Sequence, residues 1–108
     1  MTVEIQYFDG CPNLIPALEI AHRVIAEEGV KAKIIKTNVP DNAAAFRLGF
    51  AGSPSIRVNG VDIEPDARRF PVVSYTCRHY AGGIAALEPM LRAAIRIAAP
   101  PIPLRPGS

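Results

Sequence analysis

A change of hydrophobic period within residues 3–18 limits the folds open to this chain more than any other feature. From residue 3 to residue 8, positions alternate as in a strand with one well-buried face. From Leu14 onward, the apolar residues recur at helical spacing. The chain therefore passes from a strand through a short turn into a helix, and Cys11 lies in that turn.

The position of Cys11 has a chemical consequence. The first N–H groups of a helix are unpaired, and the helix macrodipole places partial positive charge at the same end, so both favour an anion. Because such surroundings lower the pKa of a cysteine below its free value of about 8.5, we expect a reactive thiolate. Pro12 fits this interpretation, since proline suits the first helical position. The alternative is that Cys11 is a small buried residue that closes the strand.

Length and composition exclude several classes of protein. The chain has 108 residues, which suffice for one domain with a core and not for two. Its formal charge is +2 and its basic residues are scattered, so no nucleic-acid footprint is expected. It has neither an apolar run of membrane-spanning length nor a signal-peptide pattern. We therefore expect a cytoplasmic protein without a membrane partner.

The cysteines and histidines do not predict a metal site. Cys11 and Cys77 are too few for a disulfide framework and do not have zinc-type spacing. In a reducing compartment they are expected to be thiols unless they are catalytic. His22 and His79 do not complete a ligand set. No structural metal of the zinc type is therefore predicted.

The remaining elements follow from the same periodicities. Further elements are predicted at 13–28 (helix), 31–37 (strand), 40–48 (helix), 55–58 (strand), 72–80 (strand) and 84–98 (helix). A strand, helix and strand this close together imply a right-handed crossover and a parallel pair. Residues 61–71 have no period and are predicted to form a loop, either entirely or after a short extension of the hairpin that the Asn59-Gly60 turn introduces.

The C-terminal end has a different composition. Residues 99–108 are rich in proline and predict an extended, mobile tail, which leaves residues 1–98 as the folded domain. Either the tail has no binding function or a proline-recognising partner binds it.

Three strings of residues carry a resemblance to a known family. They are Tyr-Phe-Asp-Gly-Cys-Pro-Asn, Gly-Ser-Pro-Ser-Ile-Arg-Val-Asn-Gly and Cys-Arg-His-Tyr. With the order of elements over residues 2–98, they resemble the thioredoxin-like superfamily, and are similar to its small, glutaredoxin-sized bacterial members. The resemblance implies an α/β fold with a four-stranded mixed sheet, in the order β-α-β-α-β-β-α, and helices on both faces.

The resemblance also implies roles for particular residues. Cys11 matches the exposed nucleophile, which attacks a disulfide and forms a mixed disulfide. Pro54 matches a cis-proline that faces this cysteine, and the backbone of Ser53 would pair with a bound extended chain. Gly82 and Gly83 match paired glycines beside a glutathione site.

One departure from the family pattern matters for mechanism. The family carries Cys-x-x-Cys, whereas this chain reads Cys-Pro-Asn-Leu, and Leu14 cannot resolve a mixed disulfide. Either the protein is a monothiol that uses an outside thiol such as glutathione, or Cys77 resolves, since the predicted topology returns it towards Cys11. Arg78 would lower the pKa of a neighbouring thiol or guide an anionic thiol. The candidate substrate-binding residues are Pro12, Ser53, Pro54, Arg78, Tyr80, Gly82 and Gly83.

Three functions remain open from the sequence. The first is a thiol-disulfide oxidoreductase acting on a thiol or disulfide, protein or small molecule, with no cofactor beyond glutathione as a reductant. The second is a binding module of the same fold without turnover. The third is a thiolate site for a soft metal ion or an organometal at the two cysteines. A monomer or weak dimer is expected in each case.

Overall fold

The computed structural model describes residues 1–99. Its strands are β1 (Thr2–Tyr7), β2 (Lys33–Asn38), β3 (Ser55–Val58) and β4 (Val61–Asp62). Its helices are α1 (Leu14–Glu28), α2 (Asn42–Leu48), α3 (Pro65–Arg69) and α4 (Leu87–Ala98), and a turn of 3₁₀ helix at Ile84–Ala86 precedes α4. From residue 100 onward, the predicted proline-rich tail lies outside the described residues.

The four strands form one mixed sheet in the order β2-β1-β3-β4. β1 and β2 are parallel, with Val3 opposite Ile34, because α1 returns the chain to the same end of the sheet. β3 is antiparallel to β1, with Ile5 opposite Ile56, and β4 is antiparallel to β3. The predicted α/β class with a four-stranded mixed sheet is therefore confirmed.

The fourth strand is not the one that the sequence predicts. Asn59 and Gly60 have φ values of 50° and 83°, the positive values that a two-residue hairpin turn requires. This turn folds Val61 back onto Val58, so β3 has a neighbour on either side. The strand predicted at residues 72–80 is therefore wrong. Those residues are irregular, apart from one bridge between Ser53 and Cys77.

The loop predicted at residues 61–71 begins with β4, the short hairpin extension that the sequence left open, but the prediction is wrong in part because the segment also contains α3. Pro65 lies at the start of α3, where its missing N–H costs no hydrogen bond. Asp66 in the first turn and Arg68 in the last turn complement the helix macrodipole. A helix of five residues is too short to show a period, which is why the sequence pattern missed it.

The buried apolar residues form two clusters. On one face of the sheet, α1 and α4 pack against β1 and β3, and the buried residues are Val3, Ile5, Ala17, Ile20, Ala21, Val24, Ile56, Val58, Ile63, Tyr80, Leu87, Leu91 and Ile95. In the second cluster, Ala44 and Ala45 of α2 pack with Val39 and Phe50. The ring of Phe8, just after β1, and the ring of Tyr75 pack against this second cluster and against each other.

The helix ends follow the sequence signals closely. Gly29 ends α1 with φ 65°, and Gly49 ends α2 with φ 66°, the left-handed conformation that glycine favours. The side chain of Asp41 accepts a hydrogen bond from the N–H of Ala44 (2.8 Å) and so caps α2. Within residues 1–99, no helix combines the length and the apolar character that a membrane crossing requires.

A network of ion pairs joins α1 to α4. Arg23 of α1 lies 2.9 Å from Glu88 of α4. Arg92 of α4 lies 3.0 Å from Glu28 and 2.7 Å from Glu27, and Arg96 bonds to the same Glu28 at 2.6 Å. Because most of these side chains are solvent-exposed, each pair contributes little alone, and the network is screened by salt.

Candidate functional site

Cys11 lies in the turn between β1 and α1, as the sequence predicts. Its N–H donates to the carbonyl oxygen of Phe8 (3.3 Å), and its carbonyl oxygen accepts from the N–H of Leu14 (3.3 Å). Gly10 has φ 82°, which permits the tight turn. Cys11 is a free cysteine and partly exposed to solvent. It is therefore open to a reagent and not a fully buried residue at the end of the strand.

The start of α1 offers fewer free N–H groups to Cys11 than the sequence suggests. The N–H of Leu14 donates to Cys11, the N–H of Ala17 donates to Asn13, and Pro16 has no N–H. Among the first four helical residues, only Ile15 keeps an N–H without a partner in the described part of the chain. Stabilisation of a thiolate by helical amides is correspondingly limited.

Ser53 connects the turn that carries Cys11 to the loop that carries Cys77. Its hydroxyl oxygen accepts from the N–H of Phe8 (3.3 Å), three residues before Cys11. The Ser53–Pro54 peptide bond is cis, which agrees with the expectation for this position. The backbone of Ser53 is not open to a bound chain, contrary to the expectation. Its N–H donates to Thr76 (3.0 Å), and its carbonyl oxygen accepts from Arg78 (2.9 Å).

Cys77 reaches this place by a route that the sequence pattern did not reveal. Residues 74–78, here called the return segment, run parallel to residues 50–53, with Cys77 opposite Ser53. The N–H of Ser74 donates to the carbonyl oxygen of Phe50 (2.8 Å) and fixes the other end of the return segment. Cys77 is free and exposed. The two thiols therefore lie on segments that both hydrogen-bond to Ser53.

Arg78 points away from solvent into a set of acceptors. Its guanidinium lies 2.8 Å from Asp62 and 3.0 Å from Glu64, and it donates to the hydroxyl oxygen of Ser55 (2.9 Å). Burial opposes its charge, but the hydrogen bonds and charges of these carboxylates outweigh burial and raise the pKa of Arg78. Only 7% of the side chain is exposed. Arg78 therefore anchors the return segment, and its expected role towards a thiol or a substrate stays a prediction.

Tyr80 belongs to the core and not to an open site. Its hydroxyl donates to the carbonyl oxygen of Pro54 (2.6 Å), and the Arg78 guanidinium lies 4.8 Å from the centre of its ring. Burial raises the pKa of Tyr80, against the opposing charge of Arg78, and the negative charges of Asp62 and Glu64 add to the rise. Tyr80 thus holds the backbone of Pro54 through a buried hydrogen bond.

The other candidate residues are exposed. Pro12 lies next to Cys11 on the surface. Gly82 and Gly83, with φ values of 87° and 76°, form a turn in which the N–H of Gly83 donates to Tyr80 (2.8 Å). Within residues 1–99, no hydrogen bond joins these glycines to Cys11 or its turn. Their expected role beside a glutathione site stays a prediction.

Sequence reasoning missed two acidic residues on which the site depends. Asp62 belongs to β4, and Glu64 directly precedes α3. Both fall in the region predicted as a loop, so their contact with Arg78 was not foreseen. The Asn59-Gly60 turn was the available signal, because a two-residue hairpin at that point places Asp62 opposite Arg57 in the sheet.

A search for a metal-binding group and comparisons with known proteins give no further indication of function. Within residues 1–99, no group of three or more His, Cys, Asp or Glu side chains could hold a metal ion. No family model, curated protein or solved structure matches the chain. The functional argument therefore depends on the geometry of the two cysteines and the residues between them.

Proposed function

We propose that this chain is a thioredoxin-like thiol-disulfide oxidoreductase with Cys11 as its nucleophile. The observation that carries the proposal is that two free, solvent-accessible cysteines lie on segments that meet at Ser53. The cis bond before Pro54 and the sheet order agree with the family resemblance. A reagent that reaches Cys11 therefore does so close to the segment that carries a second thiol.

The first step uses Cys11 alone. Its thiolate attacks one sulfur of a substrate disulfide, a new sulfur–sulfur bond forms, and the substrate bond breaks. The departing thiolate takes up a proton, and Cys11 is left in a mixed disulfide.

The second step has two routes, which the sequence left open. In one, the thiolate of Cys77 attacks the sulfur of Cys11, releases the second substrate thiolate and leaves a Cys11–Cys77 disulfide. Two electrons then pass from the two protein thiols to the substrate, and two outside thiols such as glutathione restore the protein as they become a disulfide. In the monothiol route, an outside thiol attacks the substrate sulfur and frees Cys11 directly.

Mass spectrometry of cysteine variants tests the proposal. We expect reduced protein to consume glutathione disulfide, and Cys11→Ser to abolish this reaction. Cys77→Ser accumulates a glutathione adduct on Cys11 if Cys77 resolves, whereas the unaltered protein loses two hydrogens and carries no adduct. If both proteins keep the same adduct, the monothiol route is the correct one.

The rate of alkylation at Cys11 decides whether the site is reactive at all. Iodoacetamide is applied at neutral pH to the folded Cys77→Ser protein and to the same protein unfolded in urea. An oxidoreductase predicts faster modification in the folded state. A slower folded rate, together with no mixed disulfide, would contradict the proposal and favour a binding module without turnover.

Two free cysteines on segments that meet at Ser53 also favour a second candidate, a soft-metal site. Thiolates select ions such as Cu(I), and two of them satisfy a linear geometry. Stoichiometric Cu(I) uptake that either Cys11→Ser or Cys77→Ser abolishes would support this function. Uptake that survives both substitutions would exclude it.

A further inference from the structure

The backbone beside the cis bond is already paired with the protein's own chain. Three hydrogen bonds join residues 50–53 to the return segment, at 2.8 Å, 3.0 Å and 2.9 Å, and two of them use both backbone groups of Ser53. Ser53 is 1% exposed. An extended chain approaching Cys11 therefore finds both backbone groups of this residue already hydrogen-bonded to the return segment.

The return segment is also held by its side chains and by close packing. Asp62 and Glu64 fix the guanidinium of Arg78 from β4 and from the start of α3. The backbone is tight at Gly52, where an added Cβ would lie 2.9 Å from the Cβ of Arg78. Lifting the return segment away therefore breaks backbone pairing and exposes a matched, buried charge at the same time.

These contacts matter because peptides bind sheets through the main chain. An extended peptide gains affinity by adding hydrogen bonds to unpaired backbone groups of a strand. A compact molecule needs no such pairing, because its sulfur has only to approach the sulfur of Cys11 along the bond that breaks. The two kinds of substrate therefore differ in their need to displace the return segment.

We propose that the return segment restricts Cys11 to compact, low-molecular-weight disulfides and excludes extended polypeptides. This inference rests on the proposed function, since it names the substrate class of that same site. The reaction is the exchange already described, with a small disulfide reduced as Cys11 is oxidised. Asp62 and Glu64 are specificity-determining residues, because they hold Arg78 and so keep the return segment closed.

Two probes with one leaving group test the restriction. One is glutathione in mixed disulfide with thionitrobenzoate, and the other is an extended peptide, with a central cysteine, in the same mixed disulfide. Thionitrobenzoate release is followed by absorbance with the Cys77→Ser protein, folded and unfolded in urea. For each probe, the rate of the folded protein is divided by the rate of the unfolded chain. We expect this ratio to be at least about tenfold lower for the peptide disulfide than for the glutathione disulfide, the factor that corresponds to one charge-assisted hydrogen bond.

A double variant opens the return segment without touching either cysteine. Asp62→Asn with Glu64→Gln removes both carboxylates from Arg78, and we expect the peptide rate to rise about tenfold while the glutathione rate changes less than about twofold. Asp66→Asn is the matched control, because Asp66 is exposed and has no side-chain partner in the described residues. We expect it to change neither rate. If the double variant does not fold by circular dichroism, Glu64→Gln alone enters the same comparison.

The outcomes separate this inference from the proposed function. If the folded protein reacts rapidly with both probes, the restriction is wrong and the oxidoreductase stands. If it reacts with both more slowly than the unfolded chain, the oxidoreductase itself is wrong. If it discriminates and a folded open variant discriminates equally, the return segment is not the cause, and the inference is overturned.

Discussion

Tyr80 presents a buried hydroxyl to a single acceptor, the carbonyl oxygen of Pro54 at 2.6 Å. Tyr80→Phe leaves this carbonyl without its donor, so we expect the free energy of unfolding to fall by about 1–3 kcal/mol. Urea denaturation measures the change. Tyr7→Phe is the control, because the Tyr7 hydroxyl has no hydrogen bond within residues 1–99. Equal losses in the two variants would contradict the importance of this bond.

The same hydroxyl gives stability an alkaline limit. Burial raises the pKa of Tyr80 above its ordinary value of 10.0, so the folded state keeps a proton that the unfolded chain releases. The stabilisation is complete below the ordinary value and is lost as the pH rises above it. In urea denaturation between about pH 9 and pH 11, we expect the unaltered protein to lose more stability than Tyr80→Phe. Parallel curves would show that Tyr80 ionises equally in both states.

At the residue scale, the sequence identified positions better than side-chain directions. The turn position of Cys11 was anticipated from the change of hydrophobic period, and the cis bond at Pro54 from the family resemblance. The orientation of Arg78 was not, because it is decided by Asp62 and Glu64, which are distant from it in sequence. A local pattern contains no information about which carboxylates a hairpin brings to an arginine.

At the element scale, the pairing of α1 with α4 predicts an acid limit. Hydrogen bonds from Arg23, and then from Arg92, lower the pKa of Glu88 to about 2. A lowered pKa stabilises the fold above the ordinary value of 4.5, and this contribution is lost as the pH falls towards about 2. We expect Glu88→Gln to reduce the loss of stability over this range, in thermal unfolding at low salt.

Added salt and a substitution of a glutamate on α1 provide the controls for Glu88. The unaltered protein and Glu88→Gln are expected to differ much less in their loss of stability at about 1 M salt, where the Debye length is about 3 Å. Glu19→Gln serves as the matched variant, since Glu19 is an exposed residue of α1 without an ion pair in the described residues. An equal effect of both substitutions would contradict a specific role for the network.

The longer helices and strands were predicted correctly from the sequence, whereas the shortest α-helix and the shortest strand were not. The long helices and β1 to β3 show clear periods and were found with small shifts at their ends. β4 has two residues and α3 has five, so neither contains a full repeat. Residues 72–80 alternate like a strand, yet β3 already has neighbours on both sides, and this tertiary fact overrides the local pattern.

At the scale of the whole molecule, stability depends on the core between the sheet and the helices α1 and α4. Leu91 is 0% exposed, so Leu91→Ala removes apolar contacts and leaves a cavity. We expect a loss of about 2–5 kcal/mol in urea denaturation. Ile97→Ala on the same helix is the control, because Ile97 is 77% exposed and surface changes stay within about 0.5 kcal/mol. A loss below that bound for Leu91→Ala would contradict the packing.

Hydrophobic periods predicted most of the helices and strands, and the family resemblance predicted the four-stranded mixed sheet, whereas neither predicted the contacts of the candidate site. The site forms where the turn after β1, the residues before β3 and the return segment meet at Ser53. These stretches are far apart in sequence, and the bridge between Ser53 and Cys77 is a single contact. No local signal distinguishes such a contact from an ordinary loop.

Gly52 shows how unevenly the chain can tolerate change. Its φ is +108°, and a methyl group there would meet the carbonyl oxygen of Thr76 at 3.1 Å. Every other amino acid has a Cβ atom, so crowding by the neighbouring backbone, and not a chemical role, restricts position 52 to glycine. If descendants of this sequence were selected only for folding, both sulfurs could be lost while glycine remained at position 52.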